Sequence, residues 1–237
     1  MGEKRRAPWW AVVLSGLAGA LVVMLVMTLT RTGQVNAHGA AAPRPAPATP
    51  EVTHSVTFIG DSWTEGFGAT AMRGYAVLTA EQLGWDYQIL GVGGSGYSVL
   101  GRGSTYGERV DRAVATDPDV IVVQGSLNER TSTPQALTAA ADETLSRLRS
   151  EAGAHTRILV VGAPYTPGTP NATIDWINQA IQGAATRAGL RFVNPAAEDW
   201  TDPHDAAIWS DANHPDDAGC QLVADHLKPL LTALVRG

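Results

Sequence analysis

Between residues 51 and 237 the chain alternates short apolar, β-branched runs with longer amphipathic segments, and this alternation leaves few folds open. The runs are Val56–Ile59, Tyr87–Leu90, Val120–Val123, Ile158–Val161 and Arg191–Val193. Helical patterns fall at Arg73–Leu83, Pro134–Glu151, Thr173–Ala188 and Pro215–Val235. Strands apolar on both faces need cover on both sides, and strand–helix alternation supplies it, so the pattern predicts an α/β domain built on a parallel sheet. Pro134 behind Thr133 reads as a capped helix start. Leu137, Leu145 and Leu148 give that helix a core stripe, and Ala218, Leu222, Val223, Leu227 and Leu230 give one to the last helix. No internal repeat interrupts the series, and residues 51–237 are an ordinary size for one domain.

The first run ends abruptly at Gly60-Asp61-Ser62. Such a corner is often only a turn, since all three residue types favour turns. In an open parallel sheet, however, loops that follow strands converge on one edge, where ligands bind. The glycine-rich Gly91–Gly96 follows the second run and Gln124-Gly125-Ser126-Leu127-Asn128-Glu129 follows the third. Ser62, the glycine loop and Asn128 are therefore expected to be neighbours. Asp211-Ala212-Asn213-His214-Pro215, ahead of the last helix, is expected to reach the same edge.

The amino-terminal segment points away from the cytoplasm. Residues 1–8 carry Lys4-Arg5-Arg6, and residues 9–30 are apolar and uncharged. That length suffices for a spanning helix, which needs roughly 20 residues, and the basic cluster orients it with the remainder outside. Val35-Asn36-Ala37 would also suit signal cleavage, but the apolar run exceeds the usual h-region of about 7–15 residues, which favours an uncleaved anchor. Residues 31–50 form an Ala/Pro-rich spacer, semi-extended by composition. Beyond residue 37 the chain keeps 13 basic and 22 acidic residues, a net charge near −9. No basic run survives, which argues against nucleic-acid binding. The single cysteine, Cys220, excludes an internal disulfide and reads as a small buried side chain.

In their order and residues, the stretches Gly60-Asp61-Ser62, Gly93-Gly94, Asn128 and Asp211-x-x-His214-Pro215 resemble the four blocks of the SGNH, or GDSL-type, hydrolases. The resemblance runs from about Val52 to Leu231. It implies a flavodoxin-like three-layer α/β/α sandwich with a central parallel five-stranded sheet, and hydrolysis of an ester or related acyl bond. It also implies an oxyanion hole made of the Ser62 and Gly94 backbone N–H groups and the Asn128 side-chain amide, with Gly96 as the alternative glycine. Two residues depart from the family's third block: Ser126 stands for its glycine and Glu129 for its aspartate.

The chemistry of the residues supports the same roles. A serine hydroxyl needs an adjacent base to become nucleophilic, and histidine is the side chain suited to that near neutral pH. Asp211 lies three residues before His214, close enough to accept from the far ring nitrogen and fix the tautomer. Asp61 reads as a loop organiser that holds Ser62. His38, His54, His155, His204 and His226 have no motif around them. Gly91-x-Gly93-x-x-Gly96 matches a dinucleotide fingerprint, but the helix that must follow at once is missing. No Gly-x-Ser-x-Gly elbow is present, and the aspartates around His204 lack metal-ligand spacing. Trp63, Tyr97, Trp200 and Trp209 could line a pocket or pack the core.

The expectation is an exported, membrane-tethered serine esterase that acts through Ser62, His214 and Asp211 on small-molecule or carbohydrate esters with short acyl groups such as acetyl. It needs neither cofactor nor metal. A cell-envelope O-acyltransferase using the same serine, or a silent surface-binding module, are the alternatives. Oligomeric state is not legible.

Overall fold

The sheet forms where β-branched residues concentrate. In the computed structural model, which describes residues 53–236, the strands are β1 (Ser55–Gly60), β2 (Asp86–Gly91), β3 (Val120–Gln124), β4 (Arg157–Val161) and β5 (Arg191–Val193). All neighbours pair in parallel, in the order β2-β1-β3-β4-β5. This is the flavodoxin-like doubly wound order, as expected. The basic start, the apolar run at 9–30 and the whole spacer lie outside the described residues. Among the described residues no helix is long and apolar enough to cross a membrane.

Side chains alternate across the pleat, and each face meets its own helices. Val120 and Val122 join Tyr75, Ala76 and Ala80 of α2 (Tyr75–Leu83) and Cys220, Val223 and Leu227 of α6 (Asp217–Arg236). Ile121 and Val123 turn the other way. They meet Val110 of α3 (Val110–Val114), Leu145 and Leu148 of α4 (Pro134–Glu151), and Ile177 and Ile181 of α5 (Asn171–Arg187). Burying each such aliphatic side chain contributes roughly 1.5–3 kcal/mol. α4 begins where the capping argument put it: the Thr133 hydroxyl accepts from the Ala136 N–H at 3.2 Å, with Pro134 in the first turn.

The last helix departs from expectation in two ways. It starts at Asp217, not Pro215, because Trp209 and Pro215 pair in a short antiparallel bridge that extends the chain first. Its buried stripe is also rotated. Gly219, Cys220, Val223, Ala224, Leu227 and Leu231 are inside, whereas Ala218 is exposed and Leu222 is 40% exposed. Leu222 follows Ala218 by one turn, so both share a row beside the true face, and apolar spacing alone does not tell the rows apart. Cys220 is buried as expected, and burial pushes its thiol up to about 12.

Candidate active site

β1 and β3 are adjacent although β2 intervenes in sequence, so the strand order reverses there and opens a crevice at their carboxyl ends. Ser62 sits at that point. The chain leaves β1 and turns at once into α1 (Ser62–Glu65), whose first N–H groups have no partner within the helix. The Asp61 carboxylate accepts the Trp63 N–H at 2.9 Å and caps the turn, the organising role expected of it. Its other oxygen has no hydrogen-bond partner among the described residues, because the nearby Ser126 hydroxyl donates to the Ser95 carbonyl instead. Burial pushes the Asp61 carboxyl above its ordinary range, against the pull of the nearby Ser126 hydroxyl, the Trp63 N–H and the Arg109 guanidinium.

Ser62 Oγ lies 2.9 Å from His214 Nε2. The far ring nitrogen, Nδ1, lies 2.8 Å from Asp211 Oδ2 and 3.0 Å from Oδ1. Asp211 Oδ1 also accepts the Asn213 and His214 backbone N–H groups, at 2.7 and 2.9 Å. Partial burial works against the Asp211 charge, but these N–H donors and the imidazole outweigh it and hold the carboxyl below its ordinary range. The segment is stapled at its ends: Ser210 N–H donates to the His214 carbonyl at 2.9 Å, and Gly168 N–H to the Ala212 carbonyl at 2.6 Å. His214 is held by this bridged loop, three residues ahead of the first residue of α6.

The glycine-rich segment folds back on itself. Arg102 N–H donates to the Gly93 carbonyl at 3.1 Å, Ser95 pairs with Leu100, and Gly96 N–H donates to the Val99 carbonyl at 2.8 Å. These bonds distinguish the two glycines left open by the sequence. The Gly96 N–H is already engaged and its residue is buried, whereas Gly94 is exposed and lines the crevice. A side chain at Gly96 would also meet Glu129 Oε1 at 2.1 Å.

Asn128 follows β3 in a short 3-10 turn, Leu127–Thr131, which Ser126 caps by accepting the Asn128 N–H at 3.0 Å. One of the Asn128 amide protons goes to the Ser95 carbonyl at 3.0 Å, and the other has no partner among the described residues. The two departures from the family pattern thus have local work. Ser126 makes the cap, and the fully buried Glu129 accepts the Ser98 N–H at 3.1 Å and also takes the Ser98 hydroxyl. Burial pushes the Glu129 carboxyl up, only partly offset by the Ser98 donors.

Ser62, Phe67, Gly93, Gly94, Arg102, Asn128 and His214 line one open cavity of about 330 Å³. All five residues singled out from the sequence therefore lie at one edge, four of them on the cavity wall with Asp211 behind His214. The aromatics do not join them. Trp63, Tyr97 and Trp200 are each 2% exposed and pack inside, and Trp209 packs edge-on against Trp63. The aromatic on the wall is Phe67, 45% exposed, with its ring 4.6 Å from that of His214. Sequence reading missed it because no spacing rule marks a single aromatic in a loop. The aspartates around His204 act as turn formers: Asp202 accepts the His204 N–H at 2.8 Å and Asp205 the Ala207 N–H at 3.0 Å.

A doubly wound five-stranded parallel sheet, with a serine, a histidine and an asparagine at its switch point, defines the SGNH class of hydrolases. Residues 58–222 match the GDSL-like lipase/acylhydrolase family; the chain belongs to it, as a carboxylic ester hydrolase. A GDSL lipase of Mycobacterium tuberculosis is 28% identical over 188 residues, spanning 75% of this chain and 81% of the relative. Among solved structures, the aryl esterase of M. smegmatis superposes with a TM-score of 0.62 at 14% identity, covering 77% of this chain and all 100% of that one. A carbohydrate acetylesterase from Sinorhizobium meliloti gives 0.61 at 14% identity, with the same coverage. At such identities these two similarities speak for the fold.

Proposed function

We propose that this chain is an exported serine esterase whose nucleophile, base and orienting acid are Ser62, His214 and Asp211. The observation that carries the reading is the unbroken chain of contacts from Ser62 Oγ through both ring nitrogens of His214 to Asp211, opening into a cavity. His214 Nε2 takes the Ser62 proton as Oγ attacks the ester carbonyl. The tetrahedral oxyanion receives hydrogen bonds from the Ser62 and Gly94 N–H groups and the second proton of Asn128 Nδ2. Asp211 holds the neutral imidazole with its proton on Nδ1 and stabilises the imidazolium that forms. His214 then gives its proton to the departing alkoxide, the alcohol leaves, and Ser62 keeps the acyl group. In the second half the same nitrogen deprotonates water, which attacks the acyl-enzyme, releases the acid and returns the proton to Ser62.

Short acyl groups suit the site best. The cavity is open; its wall is made by Ser62, Arg102, Asn128, His214 and the backbone of Gly93 and Gly94, with Phe67 as its apolar side chain. A separate apolar void by Trp63, Tyr75, Trp200 and Leu227 measures about 10 Å³ and shares no lining residue with it. That is room for about one water and not for an alkyl chain. The basic start, the apolar run at 9–30 and the proline-rich spacer support export and tethering. The acetylesterase similarity is consistent with small acyl esters of carbohydrates as substrates.

The test is a series of p-nitrophenyl acetate, butyrate, octanoate and laurate on the full-length protein, with Ser62→Ala as the blank. The reading expects kcat/KM to be highest for acetate or butyrate and to vanish in the blank. A maximum at laurate would overturn the short-acyl assignment, and full activity in the blank would overturn the nucleophile.

A further inference from the structure

We propose that Arg109 and Ser95, neither of which touches the cavity, form a buried truss that sets two of the three oxyanion donors; this deepens the reading of the site given above and rests on it. Arg109 is 2% exposed and, among the described residues, makes no hydrogen bond to a carboxylate. Its guanidinium instead donates to the Gly60 carbonyl at 2.8 Å and to the Leu90 carbonyl, at the carboxyl ends of β1 and β2. It also donates to the Thr105 carbonyl at 3.1 Å, the Ser104 carbonyl at 3.4 Å and Ser95 Oγ at 2.8 Å. A buried cation is costly unless its donors are satisfied, and an apolar side chain would fill the same space at less cost. The fork is therefore used for what it joins: the strand end two residues before Ser62, and the residue that follows Gly94.

Ser95 carries the link onward. It is fully buried; its hydroxyl donates to the Val92 carbonyl at 2.7 Å while accepting from Arg109. Its carbonyl accepts from Asn128 Nδ2 at 3.0 Å and from the Ser126 hydroxyl at 2.8 Å. Ser95 N–H also donates to the Val92 carbonyl at 3.1 Å, so fixing Ser95 closes the turn that contains Gly94 on one side and holds the rotamer of the Asn128 amide on the other. Both donors can then be aimed at the oxyanion before substrate arrives, and this pre-alignment is where such donors gain their effect. A lysine at 109 would keep the charge but could not span these acceptors, because it lacks the planar fork.

The experiment compares Ser95→Ala and Arg109→Lys with the parent, as full-length proteins, in p-nitrophenyl acetate kinetics, in binding of phenylboronic acid and in thermal unfolding. The boronate forms a tetrahedral adduct on the serine and so reports the oxyanion hole, whereas KM reports the ground state. Removal of a whole donor costs about 10²–10³ in rate, so misaligning two should lower kcat about tenfold in Ser95→Ala, with KM within about twofold and boronate affinity reduced by the same factor as kcat. Adding Ser95→Ala to Asn128→Ala should then cost less than it does alone, because part of its effect passes through Asn128. A folded Ser95→Ala with the parent's kcat and boronate affinity, a loss confined to KM, or losses that simply multiply in the double variant would overturn the truss. If Arg109→Lys fails to fold, Ser95→Ala still decides. Failure of the parent itself to hydrolyse the ester or bind the boronate would instead bring down the reading of the site.

Discussion

The Trp63 indole N–H donates to the Asn213 carbonyl at 2.8 Å. This bond couples the helix that begins at Ser62 to the loop that carries His214, across 150 residues of sequence. One partner sits beside Ser62 and the other beside His214, so a contact in which neither side chain takes part ties together the two backbones that carry them.

Trp63→Phe keeps most of the ring but removes this bond. A net hydrogen bond is worth about 1 kcal/mol, so the variant should lose about 1–2 kcal/mol of stability once the orphaned carbonyl is included. Its kcat should fall severalfold with KM little changed. Urea unfolding and p-nitrophenyl acetate kinetics on one preparation measure both; unchanged kcat would show that the loop holds His214 unaided.

Asp211→Asn tests the orienting carboxylate. Asparagine can still accept the Asn213 and His214 N–H bonds, so the loop should survive, but its amide favours the wrong imidazole tautomer. The comparable change in a serine protease triad lowers kcat by about 10⁴, and a loss of about 10²–10⁴ is expected here. An effect below about threefold would remove Asp211 from the mechanism.

Gly101→Ala probes the fold-back of the glycine loop. Gly101 has φ +59°, and a Cβ there would lie 2.4 Å from the Ser95 nitrogen and 2.6 Å from the Gly94 carbonyl carbon. The left-handed backbone alone costs about 1–2 kcal/mol for a non-glycine residue. The clash should push Gly94 out of line, so kcat should fall well beyond what the loss of stability explains. Gly103→Ala, where a Cβ meets nothing within 4 Å, is the control and should keep parental activity.

Glu129 makes stability depend on pH in a direction opposite to that of a paired carboxylate. Burial raises its carboxyl in the folded state, so the native protein binds the proton more tightly than the unfolded chain. Its contribution is present in acid and is lost as pH rises from the ordinary glutamate value of about 4.3 through the raised one. Relative to Glu129→Gln, the parent should therefore lose thermal stability as pH rises above about 4. Parallel Tm curves across that range would contradict the burial argument.

Much of this arrangement was legible before any coordinates, for physical reasons. β-branched runs marked all five strands, and Thr133-Pro134 marked the start of α4 to the residue, because capping is local chemistry. What stayed hidden depends on neighbours far away in sequence. α1 spans only four residues and has no period to read. Phe67 looks like any loop aromatic until its ring is seen against His214. Arg109 looks like a surface cation among others; only the convergence of two strand ends on one buried guanidinium gives it a role. The choice between Gly94 and Gly96 likewise turned on a hydrogen bond, Gly96 N–H to the Val99 carbonyl, that no spacing predicts.

The central claim is that the hydroxyl of Ser62, activated by His214, does the chemistry. The most direct measurement is peptide mass spectrometry of the full-length protein after reaction with a p-nitrophenyl alkylphosphonate. The account predicts a single phosphonyl adduct on Ser62, formed far more slowly in His214→Ala and absent from Ser62→Ala. An adduct on another residue, or ester hydrolysis that persists in Ser62→Ala, would contradict it.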